Sequence, residues 1–143
     1  MTYSKITPEL DVSDLQKSLV FYTGIAGFRM LYERPEEKFA YLDINGGGLM
    51  LEEAAGPGRR FHPAPLEKPY GRGVNFQVNV SDVDGLYARV RKAGCPVIIP
   101  LEERWYRRDD RELGNRQFVV ADPDGYLLRF FEDLGQRPLS KKG

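Results

Sequence analysis

The sequence predicts an α+β fold of two tandem βαβββ modules, and three observations carry that expectation. Two stretches repeat each other: "LDVSDLQKSLVFYTGIAGF" from Leu10 and "VNVSDVDGLYARVRKAGCP" from Val78. Each is followed by three runs rich in β-branched, aromatic and alternating residues. A proline- and glycine-rich stretch from Ala55 to Arg72 separates the copies. The expected organisation is a first module over residues 1–54, a linker over 55–72 and a second module over 73–143, together one domain of ordinary size.

The opening strand of each copy is set by alternation. In "GVNFQVNV", Val74, Phe76, Val78 and Val80 fall on one face while Asn75, Gln77 and Asn79 fall on the other. The first copy agrees, with Ile6, Pro8, Leu10 and Val12 opposing Thr7, Glu9 and Asp11. The apolar face is expected to pack a helix, and the polar face is either solvated or lines a ligand. The V-S-D that follows starts that helix. Ser13 with Gln16 and Ser81 with Asp84 read as N-cap and capping-box partner. Leu15, Leu19 and Tyr22, and in the second copy Val83, Leu86, Tyr87 and Val90, recur at helical spacing and give each helix one face to bury. Gly27 and Gly94 end the helices.

Three strands close each module. They are "FRMLYER", "KFAYLDI" and "GLMLEEA" in the first, and "VIIPLEERWY", "RQFVVA" and "YLLRFFE" in the second. Gly-rich and Asp-Pro-Asp-Gly turns separate them, and the charge run "RRDDRE" reads as a solvated hairpin tip. So many strands with only two helices require curved mixed sheets covered on one side.

Composition removes several classes of function. Lys+Arg and Asp+Glu are each 21, which argues against a nucleic-acid binder needing excess positive charge. No run approaches the apolar length of a membrane span and the N-terminus lacks a secretory pattern, so the expected location is the cytoplasm. The single cysteine, Cys95, excludes an internal disulfide and reads as a buried structural thiol. The single histidine, His62, excludes a site needing two histidines from one chain and reads as a solvated linker residue.

The duplicated unit, with "VSDLQKSLVFY", "AGF" and "DPDGYLLRF" at these places, resembles the vicinal oxygen chelate superfamily, which includes glyoxalases, dioxygenases and bleomycin-resistance proteins. The resemblance covers nearly the whole chain. It implies that the two modules form a U-shaped sheet with helices on its convex face. It also implies that ligands of a divalent metal, where one is held, come from the first and last strands of each module. Those places carry Thr7, Glu52, Asn75 and Arg129 here. Members that bind metal use histidine, glutamate or glutamine there, whereas this set offers one strong ligand, Glu52, and one permanent cation, Arg129. The expectation is therefore no metal and no other cofactor.

The bleomycin-resistance branch, resembled in "TPEL", "LMLEE" and "DPDGYLLR", implies something different: a homodimer that sequesters a small molecule at the subunit interface. A proline matched by Pro8 would let the first strand cross to the partner. One departure is electrostatic. Binders of cationic drugs in this branch tend to be acidic, whereas this chain is neutral and places Arg104, Arg107, Arg108, Arg111 and Arg116 around the expected cleft.

The function expected is small-molecule binding without catalysis. Tyr41, Glu52, Asn75, Gln77, Trp105 and Arg129 are the candidate ligand-binding residues, and no catalytic or metal-ligating residue is assigned. Trp105 is expected as a cleft wall, with Phe39 and Tyr41 as an opposite wall or as core. Arg129 either orients an acidic or carbonyl group or pairs with Glu52. The ligand is left open between an aromatic neutral and an anionic body. The alternative is a metal-dependent lyase, isomerase or dioxygenase of the same superfamily, with ligands recruited from positions such as Glu9 or Glu52 and the partner's His62.

Overall fold

The computed structural model describes residues 3–59 and 61–139. The chain divides into two compact units, residues 1–70 and 71–143. Each carries one four-stranded mixed sheet, so the α+β class and the duplicated βαβββ plan hold. In the first unit the elements run β1 (Glu9–Val12), α1 (Leu15–Leu19), a π-helical turn (Val20–Ile25), β2 (Arg29–Arg34), β3 (Phe39–Ile44) and β4 (Gly47–Glu53). In the second they run β5 (Asn75–Asn79), α2 (Val83–Lys92), β6 (Val97–Arg108), β7 (Arg111–Ala121) and β8 (Leu127–Pro138). Strand order is β1-β4-β3-β2 in one sheet and β5-β8-β7-β6 in the other. In both, the opening strand pairs parallel to the closing one while the remaining pairs are antiparallel. The repeat seen in the residues is thus a repeat of topology.

Each sheet buries one face. In the first unit Leu10, Val12, Ala40, Leu42, Leu49 and Leu51 pack with Leu15, Leu19, Phe21 and Tyr22 in the core. In the second, Phe118, Val120, Leu128 and Phe130 are buried with Val83, Leu86 and Val90 of α2. The expected alternation holds within β1 and β5 but not before them. Ile6 is 80% exposed, because β1 starts only at Glu9 and the pairing with β4 reaches back no further than the Pro8 carbonyl, which accepts from Met50 N at 2.8 Å.

Two details of the helices differ from expectation. The caps are Asp14 and Asp82, not Ser13 and Ser81. The extended backbone that precedes each helix runs one residue further, and these carboxylates accept from Lys17 N at 3.2 Å and Gly85 N at 3.0 Å. The first helix is also not a continuous α-helix. Its widened π-turn lets neighbouring Phe21 and Tyr22 both turn inward, edge to face at 4.9 Å, which a regular 3.6-residue period would not allow. Gly27 and Gly94 do end the helices, at φ of +90° and +74°.

The three last strands of the second unit are 12, 11 and 12 residues long, against 6, 6 and 7 in the first. The stretch "RWYRRDDRELGN", which reads as a longer connection, is instead continuous paired strand around a tip at Asp109 (φ +56°) and Asp110. The Asp-Pro-Asp-Gly turn is tied by buried Asp122, whose Oδ1 accepts from Asp124 N and Tyr126 N, each at 2.9 Å.

Candidate functional site

Register assigns every side chain of β5–β8 to one of two faces. Asp84 of α2 meets Arg116, the N–H of Val83 donates to Glu132, and the Tyr87 ring lies 5.0 Å from Phe118, so Arg116, Phe118 and Glu132 mark the helix face. The other face is open. Gln77 lies beside Arg129, Arg129 opposite Val119, Phe131 opposite Gln117, and Gln117 opposite Glu102. Further along, Asp133, Asn115 and Arg104 share a row, then Gln136, Leu113 and Tyr106, then Arg111 and Arg108.

A recess of about 420 Å³ lies on this open face, lined by Gln77, Tyr106, Asn115, Arg129, Phe131 and their neighbours. Its polar groups are pre-positioned. Arg129 donates through Nη2 to the amide oxygen of Gln77, while its Nε is buried and has no hydrogen-bond partner. Gln117 donates to the Tyr106 hydroxyl at 2.7 Å and lies 3.4 Å from Glu102, and its amide oxygen lies 3.5 Å from Asn115 Nδ2. The recess offers hydrogen-bonding amides, a phenol, a phenyl ring and fixed cations, but no nucleophile paired with a base.

The structure brings Gln77 and Arg129 into direct contact and puts Asn75 on the same face of β5, one strand repeat away. Trp105 does not join them. It sits opposite Gly114 on the helix face, where the Arg137 guanidinium lies 4.0 Å from its ring centroid. Unbroken alternation from Ile99, which is on the open face opposite Val119, would have put Trp105 there too. A register shift between Ile99 and Glu102, around Pro100, reverses the parity and turns Tyr106 to the recess instead. Arg108, expected around the cleft, lines the recess, and Phe131 and Asn115 line it unforeseen. Phe131 lay two residues from Arg129 and could have been found by alternation. Asn115 could not, since both faces of the paired "EERWYRRDD" are polar.

The first unit's open face is aromatic and acidic. Tyr41 is buried there, stacked on Tyr32 at 5.3 Å and 10°, met edge-on by Tyr3, with its hydroxyl 3.4 Å from Thr7 Oγ1. Phe39 is buried beneath the Arg34 guanidinium, 3.9 Å from the ring centroid. Glu52 is buried beside Asp11 in the β1–β4 pairing. Burial raises the Glu9 carboxyl above its ordinary pKa, and repulsion from Glu52 and Asp11 adds to the rise while Arg34 opposes it. Cys95, expected to be buried, is half-buried just after α2, and partial desolvation raises its thiol above the ordinary pKa. His62 is half-buried in the linker, with Nε2 making no hydrogen bond.

A divalent metal does not fit these residues. Arg129 occupies one ligand place as a permanent cation, Asn75 and Thr7 are weak donors, and only Glu52 is a strong one. Among the described residues no group of three or more His, Cys, Asp or Glu is arranged to hold a metal, and no helix is long and apolar enough to cross a membrane.

The model of the Glyoxalase/Bleomycin resistance protein/Dioxygenase superfamily matches residues 7–130. The bleomycin resistance protein of Geobacillus stearothermophilus is 29% identical over 136 residues, covering 89% of this chain and 95% of that one. The bleomycin resistance protein of Staphylococcus aureus (strain N315) matches with the same figures. Among solved structures, TioX from Micromonospora sp. ML1 superposes with a TM-score of 0.70 at 25% identity, over 94% of this chain and all of its own.

Proposed function

Because the chain belongs to the glyoxalase/bleomycin resistance protein/dioxygenase superfamily, we propose that it is a small-molecule-binding protein of the bleomycin-resistance type, which sequesters its ligand in a metal-free site without covalent chemistry. The observation that carries this reading is Arg129. At a place where a metal enzyme of this fold needs an anionic or neutral ligand, the chain has a guanidinium engaged with the Gln77 amide and bordering a recess of amides and aromatic rings. Such a group cannot bind a cation but can orient an oxygen acceptor through its planar fork. Affinity would come mainly from buried aromatic area, with the amides fixing orientation.

The likeness to two bleomycin resistance proteins along most of both chains supports sequestration over turnover. A homodimer whose interface completes the site, with the first strand crossing near Pro8, belongs to the same proposal. Each of β1, β2, β5 and β6 is an end strand of its own sheet, and an end strand can pair with another chain. The test is a thermal-shift screen of small molecules on chelator-treated protein, with hits confirmed by calorimetry and the mass measured by light scattering. Saturable binding that metal does not change, by a dimer, is expected. Stoichiometric Ni, Zn, Mn or Fe in the purified protein, with binding or turnover abolished by a chelator, would instead establish the metal-dependent lyase, isomerase or dioxygenase.

A further inference from the structure

The arginines of β6–β8 divide by face. On the helix face Arg116 pairs with Asp84 at 2.8 Å and Glu103 at 3.7 Å, and Arg137 pairs with Glu112 at 3.1 Å. On the open face Arg104, Arg108, Arg111 and Arg129 have no carboxylate partner among the described residues. Among the described residues Arg129 bonds the neutral Gln77 amide alone, and its buried Nε has no partner. Two carboxylates share that face, Glu102 and Asp133, and each already accepts a hydrogen bond, from Gln117 and from Gly135 N. Four guanidinium groups thus share this face with two carboxylates, an excess of positive charge, whereas on the other face Arg116 and Arg137 are paired locally.

The charges are also ordered. Successive open-face rows along β7 hold Arg129, then Phe131, then Arg104, then Tyr106, then Arg108 with Arg111. Rows two residues apart are about 7 Å from each other and cation rows about 13 Å, at roughly 3.3 Å rise per residue. A cation therefore follows each aromatic ring along the open face, Arg129 and Arg108 lining the recess and Arg104 standing one strand to the side of Asn115, across from Asp133. Rings offer stacking surface, and guanidinium forks between them offer bidentate sites for carboxylate or sulfonate.

We propose that the open face of β6–β8 recognises an elongated, planar aromatic ligand carrying two anionic groups, one held by Arg129 and one by Arg104, with the body stacked across Phe131. The proposal rests on the reading of the protein as a small-molecule binder and specifies what the site selects. A monoanion would use one end of the track and a cation would be repelled.

The probes are stilbene-4,4′-dicarboxylate, its uncharged diamide and a stilbene with two quaternary ammonium groups, titrated calorimetrically into the wild-type protein at low and at high salt. The diacid should bind at least about tenfold more tightly than the diamide, and its advantage should shrink as salt screens the charges. Arg129→Gln with Arg104→Gln should remove that advantage. Arg107→Gln, which removes one such charge from the helix face, should leave it intact. Equal binding of diacid and diamide would overturn the anionic inference and leave the small-molecule reading standing. Binding of none of the three, with an empty result in the broad screen, would remove both. A loss of diacid binding free energy in Arg107→Gln half as large as in the double variant, or larger, would show that only net charge is read, and would overturn the proposed track.

Discussion

Replacing Trp105 with alanine separates the two faces of the second sheet. The indole lies flat on β7: a Cβ added at Gly114 would meet its six-membered ring at 2.6 Å. Arg137 closes over its other side. Losing it exposes the apolar area of about one ring face, on the order of 80 Å², or about 2 kcal/mol. Loss of the half-exposed cation–π contact adds roughly 0.5 to 1 kcal/mol. The unfolded chain already hides part of that area, so the expected loss is about 2 kcal/mol, below the roughly 3 to 5 kcal/mol of a fully buried aromatic. The assay is urea unfolding followed by far-ultraviolet circular dichroism, because the variant removes the chain's one tryptophan. Gly114→Ala, which forces the ring away, should lose a comparable amount. Binding of stilbene-4,4′-dicarboxylate to Trp105→Ala should stay within about twofold of wild type, a change too small to signal a lost anchor. Unchanged stability with loss of that binding would refute the assignment of Trp105 to the helix face.

Three further outcomes follow from two buried polar groups and one partly desolvated carboxylate at the sheet edge. Asp122→Ala orphans two buried N–H donors in the Asp-Pro-Asp-Gly turn and should cost about 2 to 4 kcal/mol in denaturant unfolding, with Asp122→Asn milder because one acceptor oxygen remains. Ser18 is fully buried and its hydroxyl has no partner, so Ser18→Ala should leave the melting temperature unchanged or raise it. Glu9 has a raised pKa in the fold, so its ionisation opposes folding: the penalty is absent below the ordinary carboxylate range and complete above the folded pKa. Glu9→Gln should therefore raise the urea midpoint at pH 7, and that gain should vanish as pH falls below 4 in a midpoint-versus-pH series.

Much of this architecture was legible in the residues because it depends on local chemistry. Leu10 and Val12 against Glu9 and Asp11 give β1 its inner and outer faces, and Gly27 and Gly94 occupy left-handed positions that most side chains resist. Gln77 and Arg129 could be placed on one face because each strand's alternation is unbroken up to them. The failures share a cause, since each depends on a shift of one residue that hydrophobic pattern does not report. The π-turn at Val20–Ile25 inserts a residue into the helical period, each cap falls one position late, and the bulge near Pro100 reverses the parity of everything beyond it in β6. In an apolar strand the burial of wrong side chains would have betrayed such a slip. In "EERWYRRDD" either parity exposes charge, so only the hydrogen-bonded register distinguishes Trp105 from Tyr106.

The long hairpin of the second unit also bears on how this protein can change. Contacts with α2 reach Arg116, Phe118 and Glu132, and the strands run on past them as a three-stranded arm whose residues from Tyr106 to Arg111 are all exposed. Substitutions at Arg104, Arg108 or Arg111 create no cavity and orphan no buried group, so each should alter the surface at a cost of about 0.5 kcal/mol or less, whereas a change at Tyr106 must also keep an acceptor for the buried Gln117 amide. A lineage, or a laboratory selection, could exchange this row of side chains one at a time while the duplicated core stayed intact. New ligand preferences would then arise by rewriting the arm, with the folding module inherited unchanged.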